Sequence, residues 1–420
     1  MDHPQSHPLS EQQDHKALQA ATEELRLAVG DFLTKSDTSE AQLDAAKRLK
    51  VINAAEKILA TVKEPIHQWL DMSAHTVLIT ASRLFSDWGA FDAIPAEGSI
   101  SYDDLAEEVN AEASLLARVG GVLVSRGVLH QIGMDQVAHT PRSRAFTKGQ
   151  PVGMLCKLAW ETGLVTYVSM PRFFEAYGRK ETQTLTSVPS TFAIGHPEWT
   201  FYEMLARDPE RLERFTRGMS STQKKQPIAE IYDFGWVVSK AKEEPHSDRI
   251  LFVDVGGGAG QAIKAIRAEF PGLPLNRCML QDRAEVIETA KTLKDPELEG
   301  VQTMAIDFHK EQPLKNALIY WVRHCLVNHP DSMSSSILEK IADSMAEDSK
   351  ILIQEDIMDS PPTAHASSVD FMMLGIGGKQ RTLQCWEKVI SQAGLKISGI
   401  SRPKSQQQHA IAVIECVKAK

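Results

Sequence analysis

The N-terminal part of the chain carries apolar side chains at three- and four-residue steps, the spacing of an amphipathic helix. One set runs from Leu18 to Phe32, and a second runs from Leu49 to Val62. These apolar stripes precede any sheet, so they must pack against each other, a following domain or another subunit. We expect them to form a homodimer interface. The first 15 residues are polar, and we expect them to form a disordered tail.

Residues 66 to 146 show the order of elements typical of a winged-helix module. Helical patterns cover Leu78–Phe85, Tyr102–Val109 and Ala113–Ser125. Two short strands then flank the turn at residues 133–135, as in a hairpin. Winged helices often bind DNA, but the helix at Ala113–Ser125 has few basic residues. We therefore expect a structural or dimerisation role, with residues 16–150 forming a helical and winged-helix domain.

From residue 153 to residue 240 the pattern is helical, and large side chains are frequent. These are Trp160, Tyr167, Met170, Phe173, Phe174, Trp199, Phe201, Met204, Phe215 and Met219. Such residues suit a pocket for a bulky apolar ligand, although a helical core explains most of them equally simply. We assign residues 151–247 to a helical linker or substrate cap.

Strand-like apolar runs alternate with helical segments over residues 248–420. The runs are Ile250–Val255, Cys278–Gln281, Val301–Ile306, Leu318–Val322, Ile351–Glu355, Leu395–Ile400 and Ala410–Cys416. A series of βαβ units with right-handed crossovers gives a mainly parallel sheet that binds its ligand at the carboxyl ends of the strands. The sequence thus predicts an α/β domain.

Composition narrows the classes of function. A chain of 420 residues is long enough for two or more domains. The formal charge of -9 gives no basic footprint for nucleic acid. No apolar run is long enough for a membrane span and the N-terminus does not resemble a secretory signal, so we expect a cytoplasmic protein. Five scattered cysteines without a C-x-x-C pair predict no metal site.

A glycine run follows the first strand of the predicted sheet and precedes a helix. It reads Gly256-Gly257-Gly258, and glycines at this place let a ligand approach the backbone. Asp282 ends the second strand, where an acid commonly binds ribose hydroxyls. After the third strand, Asp307 and Phe308 are placed to hold an adenine. Together these residues indicate an adenosine-containing ligand. A nicotinamide dinucleotide remains an alternative, and so does a role of both acids as loop caps.

Three phrases carry a resemblance that extends from about residue 20 onward. They are ARDPERLERF at residues 206–215, VDVGGGAG at residues 253–260 and GGKQRT at residues 377–382. The chain resembles the small-molecule O-methyltransferases of plant and fungal secondary metabolism. The resemblance implies a C-terminal Rossmann-like class I methyltransferase domain and an N-terminal all-helical and winged-helix dimerisation domain. It also implies S-adenosylmethionine as the cofactor.

In this family the glycine loop, the acid after the second strand and the Asp-aromatic pair hold the cofactor. The resemblance carries that role to Gly256, Gly257, Gly258, Asp282, Asp307 and Phe308. Arg323 stands where a basic residue commonly reaches the cofactor.

The catalytic pattern of the family is broken in this chain. The family removes the proton of the acceptor with a histidine in a His-Asp-Trp phrase after the fourth strand. The matching segment reads RHCLVNHPD at residues 323–331, with Val327 at the histidine position. Glu355 retains one of the two glutamates that flank the histidine, and Gln380 replaces the other. A hydrocarbon side chain cannot accept a proton, and losing a general base costs about 10² to 10⁴ in rate.

Two explanations of this change are open. His329 or His324 could replace the missing base, although each also fits a packing role. Alternatively, the chain resembles the fungal O-methyltransferase-like pericyclases, the leporin pericyclase among them, which do not spend the methyl group. Val327 stands where those enzymes commonly carry a basic residue. A pericyclic reaction needs a folded polyene and a hydrogen-bond donor. The candidate donors are Thr222, Asn328, His329 and His324.

We place a Diels–Alder-type cyclisation of a bulky apolar polyene ahead of O-methylation of a phenol or enol. A catalytically silent binding protein is the third alternative.

Overall fold

The computed structural model describes residues 8–34, 41–223, 228–403 and 411–419. Side chains are described for residues 15–34, 47–219, 228–403 and 411–419. The chain divides into two compact units, of which the first ends at Gly153 and the second begins at Met154. No helix in the described ranges is long and apolar enough to cross a membrane.

The first two helices, α1 (Pro8–Leu33) and α2 (Ala41–Val62), pack against each other as an antiparallel pair. Lys57 of α2 pairs with Glu24 of α1 at 2.6 Å, and small buried side chains such as Ala28 and Ala54 let the two backbones approach. This confirms the two predicted amphipathic helices.

The start of α1 corrects the predicted tail. Residues 1–7 lie outside the described residues, but residues 8–15 are helical rather than disordered. Pro8 suits the first turn of a helix, and polar residues extend an existing helix at little cost once it is nucleated.

The rest of the first unit contains the predicted winged-helix elements. Its helices are α3 (Pro65–Asp87), α4 (Ala90–Ala93), α5 (Tyr102–Glu108), α6 (Ala113–Ser125) and α7 (Pro141–Arg144). Its strands are β1 (Ile100–Ser101), β2 (Leu129–Ile132) and β3 (Gln136–His139). The strands β2 and β3 form the expected antiparallel hairpin, and β1 pairs with the other edge of β3. Phe85, Leu116 and Val137 are fully buried in the core that these elements share.

The second unit begins with helices. They are α8 (Pro151–Leu158), a π-helical turn (Ala159–Leu164), α9 (Val165–Tyr177), α10 (Pro189–Ala193), α11 (Phe201–Ala206), α12 (Pro209–Gln223) and α13 (Gly235–Glu243). Among the described residues of 151–247 there is no strand, as the pattern predicts. Trp160, Met170 and Phe173 are buried, so these large side chains form a helical core.

Helix α13 packs against one face of the main sheet and contributes to its hydrophobic core. Phe234, the residue before it, packs its ring against Phe252 and Trp321 at centroid distances of 5.9 and 5.7 Å. The last helix of residues 151–247 is therefore part of the sheet domain and not of a linker or cap. The physical reason is that the Phe234 ring fills the space between α13 and the strands β4 and β7. A cap role for the earlier helices of this segment stays a prediction.

The remaining strands and helices alternate along the chain. They are β4 (Phe252–Val255), α14 (Gln261–Glu269), β5 (Cys278–Asp282), α15 (Ala284–Leu293), β6 (Gln302–Ala305), β7 (Ile319–Arg323), α16 (Asp331–Ala342), β8 (Lys350–Met358), α17 (Ala364–Ile376), β9 (Arg381–Thr382), α18 (Leu383–Gln392), β10 (Leu395–Ser401) and β11 (Ile411–Lys418). All seven predicted strands are present within a few residues of their predicted bounds.

The main sheet has the order β10-β11-β8-β7-β4-β5-β6. The five strands from β4 to β8 are parallel, and β11 and β10 are antiparallel additions at one edge. Helices α16 and α18 cover one face, while α13, α14 and α15 cover the other. The expected α/β fold with a mainly parallel sheet is therefore confirmed. Its parallel strands end at one common edge, which is where such folds bind ligands.

Candidate functional site

The glycine loop between β4 and α14 has backbone angles that favour glycine. Gly256 and Gly258 have φ of 72° and 60°, in the left-handed region. The backbone N–H groups of Gly256 and Gly257 donate to the carbonyl of Gln281 at 2.8 and 3.1 Å. A Cβ built on Gly258 would meet only Gln261 Oε1, at 3.7 Å. The loop is thus anchored to β5 on one side, and Gly258 has open space on the other side where a ligand can approach.

Asp282 lies at this loop, as the sequence predicts. Its Oδ2 accepts a hydrogen bond from the backbone N–H of Gly258 at 2.9 Å, and its Oδ1 accepts one from Arg283 at 2.7 Å. Each carboxylate oxygen has a second lone pair. The side chain therefore both fixes the loop and retains acceptor capacity for a pair of ribose hydroxyls.

Asp307 and Phe308 follow β6 at the same edge. Asp307 Oδ1 accepts from the backbone N–H of His309 at 3.1 Å, and Oδ2 pairs with Lys310 at 3.3 Å. These contacts are those of a loop cap, the alternative that the sequence left open. Phe308 instead reaches the glycine loop, because a Cβ on Gly256 would lie 3.6 Å from its ring.

Asp254, which is buried, and Arg323, which is partly buried, lie beside the loop and have buried polar atoms without a hydrogen-bond partner in the described part of the chain. Nε and Nη2 of Arg323, and Oδ2 of Asp254, have no hydrogen-bond partner among the described residues. Burial raises the pKa of Asp254 to about 7, with Asp282 raising it further and Arg323 opposing the shift. Burial lowers the pKa of Arg323, and the Asp254 charge counteracts this. Unsatisfied buried groups are costly, so their presence indicates a ligand.

S-adenosylmethionine matches these groups. Its amino acid carboxylate suits the unpartnered guanidinium of Arg323, and its ribose diol suits Asp282. The open backbone of Gly258 leaves space for the ligand between them. The residues present therefore fit this cofactor.

The turn after β7 brings His324 to Glu355. His324 has a φ of 50°, in the left-handed region, and its backbone N–H donates to the carbonyl of Gln354 at 3.2 Å. Its Nδ1 lies 3.4 Å from Oε2 of Glu355. Its Nε2 is buried without a hydrogen-bond partner among the described residues. Oε1 of Glu355 accepts from the backbone N–H of Val327 at 3.2 Å.

Val327 and Asn328 lie in the turn that follows. The carbonyl of Val327 accepts from the backbone N–H of Lys379 at 2.8 Å, and Gly378 has no space for a Cβ against this carbonyl. Nδ2 of Asn328 donates to the carbonyl of His324 at 3.1 Å. The Asn328 amide, which we considered as a hydrogen-bond donor to the substrate, thus donates to the His324 backbone.

Gln380 is buried close to the same loop. Its backbone N–H donates to Oδ1 of Asp370 at 2.9 Å. The second flanking glutamate of the family pattern is therefore replaced by an uncharged amide in the interior.

His329 has partners on both ring nitrogens. Nδ1 donates to the carbonyl of Cys325 at 2.8 Å, and Nε2 lies 3.3 Å from Nε2 of His309. Its ring meets Phe308 edge to face at a centroid distance of 5.8 Å. Burial lowers the pKa of His329 to about 4. Because both ring nitrogens already have partners, neither is free to take a proton from a substrate hydroxyl. This geometry favours a packing role beside Phe308 over proton transfer. Thr222 lies beyond the residues whose side chains are described.

Sequence reasoning missed three residues at this edge. Sγ of Cys325 lies 3.8 Å from the carbonyl of Gly256, directly beneath the glycine loop. Burial raises the pKa of Tyr202 to about 12, and Cys325 adds to this shift. Arg381 is fully buried, and its guanidinium donates to the carbonyls of Leu326 and His329. For Arg381, its place in the GGKQRT phrase was the available signal.

A cleft of about 240 Å³ lies beside the loop that contacts Val327. It is lined mainly by apolar residues, with Asp370 and Lys379 among the polar ones. Lys379 is held by Glu181 and Asp331, each at 3.1 Å. No described group of three or more His, Cys, Asp or Glu side chains is placed to hold a metal ion.

The parallel sheet and its glycine loop define a Rossmann-like, S-adenosylmethionine-binding class of enzyme. The family model for the O-methyltransferase domain matches residues 179–396. Methyltransferase cfoD of Aspergillus candidus is 37% identical over 410 residues, which cover 96% of this chain and 99% of that protein. The chain therefore belongs to the O-methyltransferase family of fungal secondary metabolism, and its cofactor is S-adenosylmethionine.

Two solved structures share the fold across nearly the whole chain. OxaC in complex with S-adenosylhomocysteine and oxaline is 23% identical, with a TM-score of 0.80, and the match covers 97% of this chain and 100% of that one. LepI in complex with S-adenosylmethionine is 20% identical, with a TM-score of 0.76, and covers 97% and 100%. A related structure is described as a pericyclic reaction enzyme. At such identities the likeness defines the fold only.

Proposed function

We propose that this protein transfers the methyl group of S-adenosylmethionine to a hydroxyl or enol oxygen of a bulky apolar metabolite. The observation that carries the proposal is the match with a methyltransferase over 96% of this chain, which includes both units. The sequence alone favoured a pericyclase. The pericyclic neighbour structures are only 20% identical, so they do not outweigh this relative.

The chain's own groups support binding of the cofactor in a fixed orientation. Asp282 would accept hydrogen bonds from the ribose hydroxyls, Arg323 would pair with the carboxylate, and the loop at residues 256–258 would lie close to the cofactor. Phe308, whose ring lies against Gly256, would contact the adenine. When bound, the cofactor supplies an electrophilic methyl group on a sulfonium. The protein then has to place the acceptor oxygen in line with that group and exclude water.

The test uses methyl-labelled S-adenosylmethionine and a small-molecule extract of cells that lack this gene, in which the native acceptor accumulates. We expect a labelled product and one S-adenosylhomocysteine per methyl group. The Asp282→Asn variant serves as the control, with binding of S-adenosylmethionine weakened about 10- to 100-fold, because a hydrogen bond to a charged group is worth about 1.5–3 kcal/mol. An unlabelled, cyclised product would contradict methyl transfer.

Pericyclic cyclisation is the second candidate. Val327 and Gln380 favour it, because they replace the histidine and one of the two glutamates with which the family removes the acceptor proton. A pericyclic reaction needs no such base. In this case the cofactor stays intact and its charge stabilises the developing charge on the substrate. S-adenosylhomocysteine has no methyl group to give. If the protein loaded with it still converts its substrate to a cyclised product, that result would favour cyclisation.

We also propose that the protein is a homodimer formed through its N-terminal helices. The first half of α3 exposes Ile66, Trp69, Leu70 and Met72, of which Trp69 and Met72 are 61% and 64% exposed. Contiguous apolar surface of this kind on one helix is typical of an interface. The same surface on a second copy is a self-complementary partner.

A further inference from the structure

The glutamate that remains from the family's catalytic pattern has a new partner. Without a histidine at position 327, Glu355 would be a buried carboxylate with no imidazole to orient. Instead, its Oε2 lies 3.4 Å from Nδ1 of His324, which is three residues before Val327 in the chain. The side chains of Glu355 and His324 are only 2% and 16% exposed, so this contact is shielded from water.

We infer that His324 is the general base for the acceptor hydroxyl, oriented by Glu355 in place of the histidine lost at position 327. This inference rests on the proposed methyl transfer. A carboxylate that holds one ring nitrogen of a histidine selects the tautomer in which the other nitrogen accepts a proton. With Nδ1 carrying the hydrogen toward Glu355, Nε2 presents its lone pair.

The free nitrogen of His324 is the second observation. Its Nε2 is buried and has no hydrogen-bond partner among the described residues. A buried polar atom without a partner destabilises the folded protein, so it calls for an explanation. An acceptor hydroxyl that donates to Nε2 provides one. His329, by contrast, has both ring nitrogens engaged.

The backbone of His324 is the third observation. Its φ of 50° lies in the left-handed region, which is uncommon for a residue with a side chain. The neighbouring protein maintains it, because the backbone N–H donates to Gln354 and the carbonyl accepts from Asn328. Strain that the surroundings hold in place is a feature of functional residues.

The proposed step balances as follows. The acceptor O–H gives its proton to Nε2 of His324, and the electron pair of that oxygen forms the new bond to the methyl carbon. The bond between that carbon and the sulfonium sulfur breaks, and its electron pair stays on sulfur. The imidazolium, stabilised by the Glu355 carboxylate, then releases its proton to solvent.

The test compares two probe acceptors that differ in their need for a base. Phenol, with a pKa of about 10 like that of tyrosine, must lose its proton during attack. Cyclohexane-1,3-dione is largely an enolate at neutral pH and needs no base. In the His324→Asn variant we expect methylation of phenol to fall about 10²- to 10⁴-fold and methylation of the dione to change less than about threefold. Asparagine tolerates the left-handed backbone.

Three controls separate catalysis from folding. The dissociation constant of S-adenosylmethionine, measured by calorimetry, should stay within about twofold in His324→Asn. His246→Asn, at an exposed histidine between α13 and β4, should leave both rates unchanged. For Glu355, which acts through His324, nitrogen-15 NMR of labelled histidine gives the direct readout. We expect the Nδ1–H tautomer of His324 in the wild type, its loss in Glu355→Gln and its recovery in Glu355→Asp.

The outcomes distinguish the inference from the function on which it rests. If phenol and dione methylation fall equally in His324→Asn, or if the wild type shows His324 as the Nε2–H tautomer, the base assignment is wrong while methyl transfer stands. If the wild type methylates neither probe and nothing in the extract described above, methyl transfer itself is contradicted, and the base with it.

Discussion

His329 shows at the level of one residue how burial alters a side chain that the sequence made a candidate base. Its ring is 6% exposed, and burial lowers its pKa to about 4, below the value of about 6.5 expected in the unfolded chain. The folded protein therefore holds this imidazole neutral. Stability linked to His329 is complete above pH 6.5 and is lost as the pH falls from 6.5 toward 4.

The corresponding prediction concerns stability in acid. The His329→Asn variant should lose less unfolding free energy than the wild type between pH 7 and pH 4.5, with a difference of up to about 3 kcal/mol. Urea unfolding at each pH measures it. His246→Asn should follow the wild type. Equal losses in wild type and His329→Asn would mean that His329 is not the group that titrates.

At the same scale, the sequence predicted candidate cofactor residues that lie together at one edge of the sheet, but not the contact of Glu355 with His324. Gly256, Gly258 and Asp282 were predictable because a strand, a turn and a helix fix them at a known place along the chain. The contact of His324 with Glu355 was not, because it joins two residues that lie 31 positions apart in the chain and depends on one left-handed backbone angle.

At the level of the element, the turn from Leu326 to Asp331 is held by one buried side chain. Arg381 donates to the carbonyls of Leu326 and His329 at 2.9 and 2.7 Å and to Oδ1 of Asp331 at 2.8 Å. The planar guanidinium reaches all three because its donors point in fixed, divergent directions. This interaction holds the turn at residues 326–331 against the GGKQRT loop.

Replacing this guanidinium by an amine should therefore loosen the turn. Arg381→Lys is expected to reduce the free energy of unfolding by about 3–5 kcal/mol, because it leaves two buried carbonyls without their donor and Asp331 with Lys379 as its remaining cationic partner. Thermal unfolding measures the change. Arg249→Lys is the matched control: Arg249 pairs with Asp348 at a more exposed site, and its replacement should cost about 1 kcal/mol or less. Equal effects of the two variants would contradict a special role of Arg381.

At the level of the whole molecule, the exposed apolar surface of α3 leads to a prediction about assembly. The wild type should sediment with twice the chain mass of 46.5 kDa. Trp69→Glu should shift it toward the monomer, because a charge would have to be buried in the interface. Leu293→Glu, at an apolar side chain of α15 that is 63% exposed, should leave the dimer unchanged. A wild type that sediments as a monomer at micromolar concentration would rule out the proposed dimer.

The amino-acid sequence by itself determined the α/β fold, the seven strands and the cofactor loop, because these depend on local periodicity and on residues close together in the chain. It also showed that the family's histidine is absent at Val327. Only the tertiary structure decided which histidine meets Glu355, since β7 and β8 become neighbours through the sheet. It likewise decided that both nitrogens of His329 are occupied, because packing sets the partners and the dielectric surroundings of a side chain.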